Sequence, residues 1–310
     1  MSLIKHVLVT GGAGFVGANL VRTLLKRGYT VRVLDNFSSG NRASLAGLDI
    51  DIVEGDILDR AAVDAAVAGT DGIVHLAAQT GVPGSIQDPM RDCQLNVVGT
   101  LNMLEAARLA GTKRFVFASS NAPLGKQPPP ATEDKAPLPI SPYGASKLAG
   151  EGYCLAYHGS WGLGTVALRF ANLYGPFSAH KNSVVAKFIK DIQSTGTITI
   201  DGDGLQTRDF IYVGDLCEAV VLALESDIGG EVFQIATGIE TSIRALADQI
   251  EACMDVDLAV QYGTTRQGDI RKNYSRVDKA REQLGWEPQV ALDEGLALTL
   301  AWFASSGDKA

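Results

Sequence analysis

The sequence predicts an α/β protein: a doubly wound parallel sheet of about seven strands, with a smaller mixed α/β lobe beside it. Three observations carry this. Short β-branched runs recur through the first 240 residues, and segments of helical period separate most of them. The runs are apolar nearly throughout instead of alternating, as strands covered on both faces are. A glycine cluster stands between the first run and the first helical segment, where such sheets turn tightly.

In chain order, strands are expected at 6–10, 30–35, 50–54, 72–77, 114–119, 164–170 and 231–236. Helices are expected at 15–27, 60–68, 96–110 and 143–158. Beyond Asn172 the alternation loosens, with helical patterns at 181–193, 215–225, 242–254, 278–284 and 293–303 and a short strand at 198–200. Pro128–Pro130, Pro137, Pro139 and Pro142 mark a rigid loop inside the first region, not a boundary. The expected division is 1–172 plus about 211–238 for the sheet domain, and about 173–210 with 239–310 for the second.

The 310 residues carry 27 Lys+Arg against 35 Asp+Glu, a net charge of −8, and 46% are hydrophobic. The apolar share excludes disorder. The charge argues against unspecific binding to nucleic acid or to an anionic membrane. No run of about 18 apolar residues is present, so no membrane span is expected. The first six residues do not resemble a signal peptide. Cys93, Cys154, Cys217 and Cys253 form no CxxC pair, which suggests free thiols and a cytoplasmic protein.

Residues 10–17 read TGGAGFVG, giving both GxGxxG and GxxGxxG spacings. Glycine lets the backbone approach a pyrophosphate closely, and the helix that follows directs free N–H groups and its positive end toward it. The motif alone is weak, but a strand precedes it and Asp35 ends the next strand 18 residues after Gly17. A carboxylate there accepts from the adenosine ribose and repels a 2′-phosphate, favouring NAD. This is the Rossmann arrangement. Asp56, after the third strand, either accepts from the adenine amino group or caps the helix at 60–68, and both roles are compatible.

Tyr143 and Lys147 stand at i and i+4 of one helix, started by Ser141-Pro142. A phenol is a poor base near its ordinary pKa of about 10, and a fall of about 3 units needs roughly 4 kcal/mol of favourable charge nearby. Lys147 and a positively charged nicotinamide would both act in that direction. Ser119 and Ser120 end the fifth strand, where ligands sit in open sheets, although a serine pair there also suits a turn. His75 reads as structural, His158 and His180 as surface residues, and no group has metal-ligand spacing.

Together TGGAGFVG, Asp35, Asp56, HLAAQ (75–79), Asn96 in NVVGT, Ser119-Ser120, SPYGASK and RFANLYGP (169–176) resemble the extended short-chain dehydrogenase/reductases, from about residue 6 to 303. Within them the resemblance is to the NAD-dependent nucleotide-sugar epimerases and dehydratases, UDP-hexose 4-epimerases above all. It implies Tyr143 as base, Lys147 on the nicotinamide ribose and Ser120 on the sugar 4-oxygen. It implies NAD contacts from Gly11, Gly14, Phe15, Val16, Gly17, Asp35, Asn36, Gly40, Asp56, Ile57, Leu76, Ala77, Ala78, Gln79, Asn96, Ala118, Tyr143, Lys147 and Phe170. For the UDP-sugar it implies Ser120, Asn172, Val184, Thr199, Arg208, Arg266 and Asp269, with arginines on the diphosphate.

Such 4,6-dehydratases carry Asp-Glu after the catalytic hydroxyl residue, whereas this chain has Asn121 and Ala122. Without that acid, elimination is unassisted, and oxidation followed by reduction at one carbon remains. Leu124 replaces a usual tyrosine, Phe177 stands where glucuronate epimerases often have arginine, and Asn273 sits at the family's gate position. The resemblance also implies a homodimer through a four-helix bundle of the helices at 96–110 and 143–158, with Leu101, Leu104, Leu148 and Tyr153 either at that contact or inside the subunit. The alternatives are a nucleotide-sugar oxidoreductase, a UDP-glucuronate 4-epimerase and a non-enzymatic NAD-binding protein.

Overall fold

The computed structural model describes residues 4–264 and 271–306. Its central sheet holds β1 (His6–Thr10), β2 (Thr30–Asp35), β3 (Asp51–Glu54), β4 (Gly72–His75), β5 (Arg114–Ser120), β6 (Gly164–Phe170) and β7 (Glu231–Ile235). They lie in the order β7-β6-β5-β4-β1-β2-β3, every pair parallel. The chain winds from β1 to β3 in one direction and from β4 to β7 in the other. The crevice where a ligand sits therefore opens beyond the carboxyl ends of β1 and β4.

The strands are apolar on both sides because both are covered. Helices α1 (Phe15–Lys26) and, later in the chain, Val213–Glu225 pack Leu20, Leu24, Leu216 and Val220 against Val7, Val9 and Val33. On the other face α2 (Arg60–Val67), α3 (Gly99–Ala110) and α4 (Pro142–Trp161) bury Val63, Met103, Leu104 and Cys154 against Leu8, Ile73 and Phe117. A third cluster gathers Tyr174, Phe188, Ile198, Leu246 and Phe303 from α5 (Val184–Thr195), α7 (Ile243–Met254), α8 (Leu292–Ser306) and neighbouring strands, α6 being the Val213–Glu225 helix already placed against the sheet.

Most predicted elements agree to within a few residues, and the differences are local. The helix expected at 181–193 starts at Val184, because residues 178–181 form a turn in which Lys181 N donates to Ser178 O. The helix expected at 96–110 is a widened turn, Gln94–Val98, running into α3. Two short helices, Val82–Gln87 and Pro89–Cys93, and the strand pairs Asn172–Tyr174 with Phe210–Tyr212 and Thr197–Asp201 with Ala259–Gly263 were too short for periodicity to reveal fully. Leu104 is wholly buried inside the subunit, so it is unavailable to a second copy.

Candidate active site

A cleft of about 600 Å³ runs along the carboxyl ends of the sheet strands. Its size is that of a ligand pocket. Gly11, Gly14, Phe15, Val16 and Gly17 line one part of it. Gly11 has φ +69°, and a Cβ there would lie 2.9 Å from Ala77 N. A Cβ on Gly17 would lie 2.2 Å from Gly11 O and 2.5 Å from Gly12 Cα, so the turn closes only on glycine. Gly14 caps α1 without any side-chain hydrogen bond, leaving the helix's positive end facing the cleft. This cradle fits a pyrophosphate.

Asp35 is held with each oxygen on a backbone donor: Oδ2 accepts from Ala13 N at 2.9 Å and Oδ1 from Phe37 N at 2.8 Å. Fixed in this way at the cleft wall, its remaining lone pairs can take ribose hydroxyls. Asp56 also lines the cleft, accepting from Leu58 N at 2.9 Å and from Asn36 Nδ2 at 2.8 Å. It does not cap α2. Asp59 does, accepting from Ala61 N and Ala62 N, so the capping alternative for Asp56 falls away.

Asn36, Gly40, Ile57, Leu76, Ala77, Ala78, Gln79, Ala118 and Phe170 all line the cleft. Asn96 does not. It is 1% exposed and clamps Gln79 from behind, accepting from its N–H and donating to its C=O, both at 2.9 Å. Its part is to position the wall that Gln79 forms. Ser38, Gly55, Thr80, Arg91 and Lys181 line the cleft as well, although no motif singled them out, and so does Leu173 of RFANLYGP. Ser38 and Gly55 follow strand ends and were open to that argument; Arg91 and Lys181 carry no local signal.

Tyr143, Lys147 and Ser120 meet at the end of β5 and share the cleft. Ser141 caps α4 by accepting from Gly144 N at 3.1 Å, with Pro142 in the first turn, which sets the direction of the helix. The Ser120 hydroxyl stands close enough to the Tyr143 phenol to favour its ionised form. Lys147 Nζ donates to Ala118 O at 2.8 Å and stands 6.0 Å from the Tyr143 ring centre. Burial pushes the phenol up to about 12; the Ser120 hydroxyl opposes this and Asp92 adds to it. Burial also lowers Lys147 to about 8. The expected acidified phenol is therefore not a property of the protein alone, because Lys147 is itself desolvated and its ammonium is directed at a carbonyl.

Asn121 donates to Ser275 Oγ at 3.0 Å, and Ala122, with no side-chain acid to offer, donates its N–H to Ser120 Oγ at 3.2 Å. Leu124 and Asn273 line one small pocket next to Asn121. Phe177 lies elsewhere, packed under Arg22 and beside Trp302. His75 is buried, bonded to Thr10 and Thr100, and structural as expected. Of the substrate residues, Ser120 and Asn172 line the cleft; Val184, Thr199 and Arg208 are not among its lining residues. Arg266 and Asp269 lie outside the described residues.

A glycine cradle, an anchored acid and a Tyr–Lys–Ser group on one doubly wound sheet define a dinucleotide-dependent enzyme of the short-chain dehydrogenase/reductase type. Residues 7–236 match the NAD dependent epimerase/dehydratase family, and the chain belongs to that family. It is 40% identical over 312 residues to a UDP-glucose 4-epimerase of Mycolicibacterium smegmatis, covering 96% of this chain and 98% of that one. Among solved structures it resembles a UDP-glucose 4-epimerase of Thermotoga maritima with UDP-glucose, at TM-score 0.93 and 37% identity, over 97% of this chain and 99% of that one. It also resembles a Thermus thermophilus UDP-glucose 4-epimerase in complex with NAD, at TM-score 0.91 and 36% identity, over 97% and 100% of the two chains.

Proposed function

We propose that this protein is an NAD-dependent 4-epimerase of a UDP-hexose, of the glucose/galactose type or its N-acetylated counterpart. The observation that carries the reading is the pairing of an intact Tyr143–Ser120–Lys147 group with Asn121 and Ala122 where an elimination acid would stand. The relatives named above support it, and so does the dinucleotide cradle in the same cleft.

Bound NAD supplies a hydride acceptor and donor at one sugar carbon. Ser120 holds the 4-oxygen, and Tyr143 takes the hydroxyl proton as the carbon is oxidised and returns it after the 4-keto sugar has turned over. Lys147 supplies positive charge and a donor for ribose hydroxyls. A phenol near 12 must fall by about 5 units to act as base at neutral pH, a differential of about 7 kcal/mol that added positive charge and desolvated contacts must supply. Asn172, Val184, Thr199, Arg208, Arg266 and Asp269 are proposed to hold the UDP. The two-part division, 1–172 plus 211–238 against 173–210 plus 239–310, belongs to the same reading.

A homodimer through α3 and α4 belongs to it too, supported by exposed Leu109, Tyr153, Leu155 and Trp161 on those helices. A role in cytoplasmic carbohydrate or polysaccharide synthesis is consistent with such a substrate. Among the described residues no helix is long and apolar enough to cross a membrane. The test is to incubate the purified protein separately with UDP-glucose, UDP-N-acetylglucosamine and UDP-glucuronate and to resolve the C4 epimers. Epimers without net change in reduced coenzyme are expected. Stoichiometric coenzyme consumption, or a product lacking the C6 hydroxyl, would refute the reading.

A further inference from the structure

Lys181 has no place in the Tyr–Lys–Ser chemistry, yet it lines the same cleft as Tyr143, Asn172 and the glycine cradle. Among the described residues its ammonium has neither an ion pair nor a hydrogen bond; only its backbone is engaged. Its N–H donates to Ser178 O at 2.8 Å, and its carbonyl accepts from Lys190 Nζ at 2.8 Å. The residue is thus pinned in a turn ahead of α5 while its charge is left unmatched. Burial holds the ammonium below the ordinary lysine value, and no carboxylate opposes that shift. Neighbouring His180 is lowered by burial and by the charges of Lys181 and Lys190, so the local field is positive from several sides. A half-buried, unpaired cation in a ligand cleft is suited to an anion.

We propose that Lys181 binds a nucleotide diphosphate in this cleft. This rests on the reading of the cleft as a site for two nucleotides. The shared chemistry is a diphosphate, and two are available: that of the nucleotide sugar and that of the dinucleotide. The sugar nucleotide is favoured, because the glycine turn and the α1 N-terminus already serve the dinucleotide, whereas Lys181 lines the cleft together with Asn172, one of the residues proposed for the UDP.

The test compares the full-length protein with Lys181→Met, Lys181→Gln and Lys181→Arg. Calorimetry with UDP and with uridine reports the first diphosphate, and NAD retained per chain reports the second. A fall of about 10- to 100-fold in UDP affinity in Lys181→Met and Lys181→Gln, with uridine binding unchanged and Lys181→Arg restored, is expected from loss of a charge-assisted contact. Loss of NAD with UDP affinity intact assigns the contact to the dinucleotide. Unchanged affinity for both in a folded variant overturns the proposal. A wild-type protein that binds neither UDP nor NAD instead refutes the two-nucleotide reading, so the two failures are distinguishable.

Discussion

Glu151 and Arg169 meet in the interior as a two-pronged ion pair, Nε to Oε1 and Nη2 to Oε2, each at 2.8 Å. Their side chains are only 3% and 4% exposed. Ser119 Oγ also donates to Glu151 Oε1, at 2.5 Å. Glu151 follows Lys147 by one helical turn on α4, Arg169 lies on β6 and Ser119 on β5. The carboxylate therefore fixes the helix that bears Tyr143 and Lys147 against the strand that bears Ser120. Replacing Glu151 by Gln strands a buried guanidinium, and a stability loss of about 3–5 kcal/mol is expected in urea unfolding. A loss below about 1 kcal/mol would show that the pair does not brace the site.

Tyr143→Phe removes the proton-transfer group but keeps the ring. Turnover should fall by at least about 10²- to 10⁴-fold while NAD remains bound after purification. Persistent epimerisation would remove Tyr143 from its role.

In the ligand-free protein the Tyr143 phenol sits near 12. The difference in tyrosinate absorbance between wild type and Tyr143→Phe should appear close to that value without NAD and several units lower with it, since added positive charge favours the phenolate. The same midpoint in both states would leave the phenol without a means of acting as base.

His75 is 1% exposed, with Nδ1 2.8 Å from Thr10 Oγ and Nε2 3.1 Å from Thr100 Oγ. Thr10 Oγ accepts from Ala77 N and Thr100 Oγ donates to Asn96 O, so the assignment that satisfies the network is a neutral ring protonated on Nε2. Burial first, and the Lys147 charge second, lower its pKa to about 3. Below about 6.5 the unfolded histidine takes up a proton that the folded one refuses, so stability must fall as pH drops from there toward 3. At pH 5 this amounts to about 2 kcal/mol. Unfolding at pH 7 and pH 5 should show that extra loss in wild type and not in His75→Gln.

Gly17→Ala should yield a protein without retained NAD and with a lowered Tm, although alanine is the better helix former. The added Cβ would meet Gly11 O at 2.2 Å, which forces the turn apart. A loaded and stable Gly17→Ala protein would contradict the cradle as described.

Some of this was written into short stretches of chain. Apolar runs and helical periods mark the seven strands, and φ +69° at Gly11 or the Ser141-Pro142 start of α4 are local demands that only certain residues meet. Other features depend on partners far along the chain. Neither Asp56 nor Asp59 announces which one caps α2, and Asn96 reads as a ligand contact until its clamp on Gln79 is seen. The phenol's acidity without coenzyme depends on burial and on where Lys147 Nζ points, both set by how α4 packs on β5. The unmatched charge of Lys181 likewise exists only once the turn before α5 has been pinned by Lys190. Backbone preference acts within a few residues, whereas desolvation and charge compensation are fixed by whatever the folded chain brings alongside.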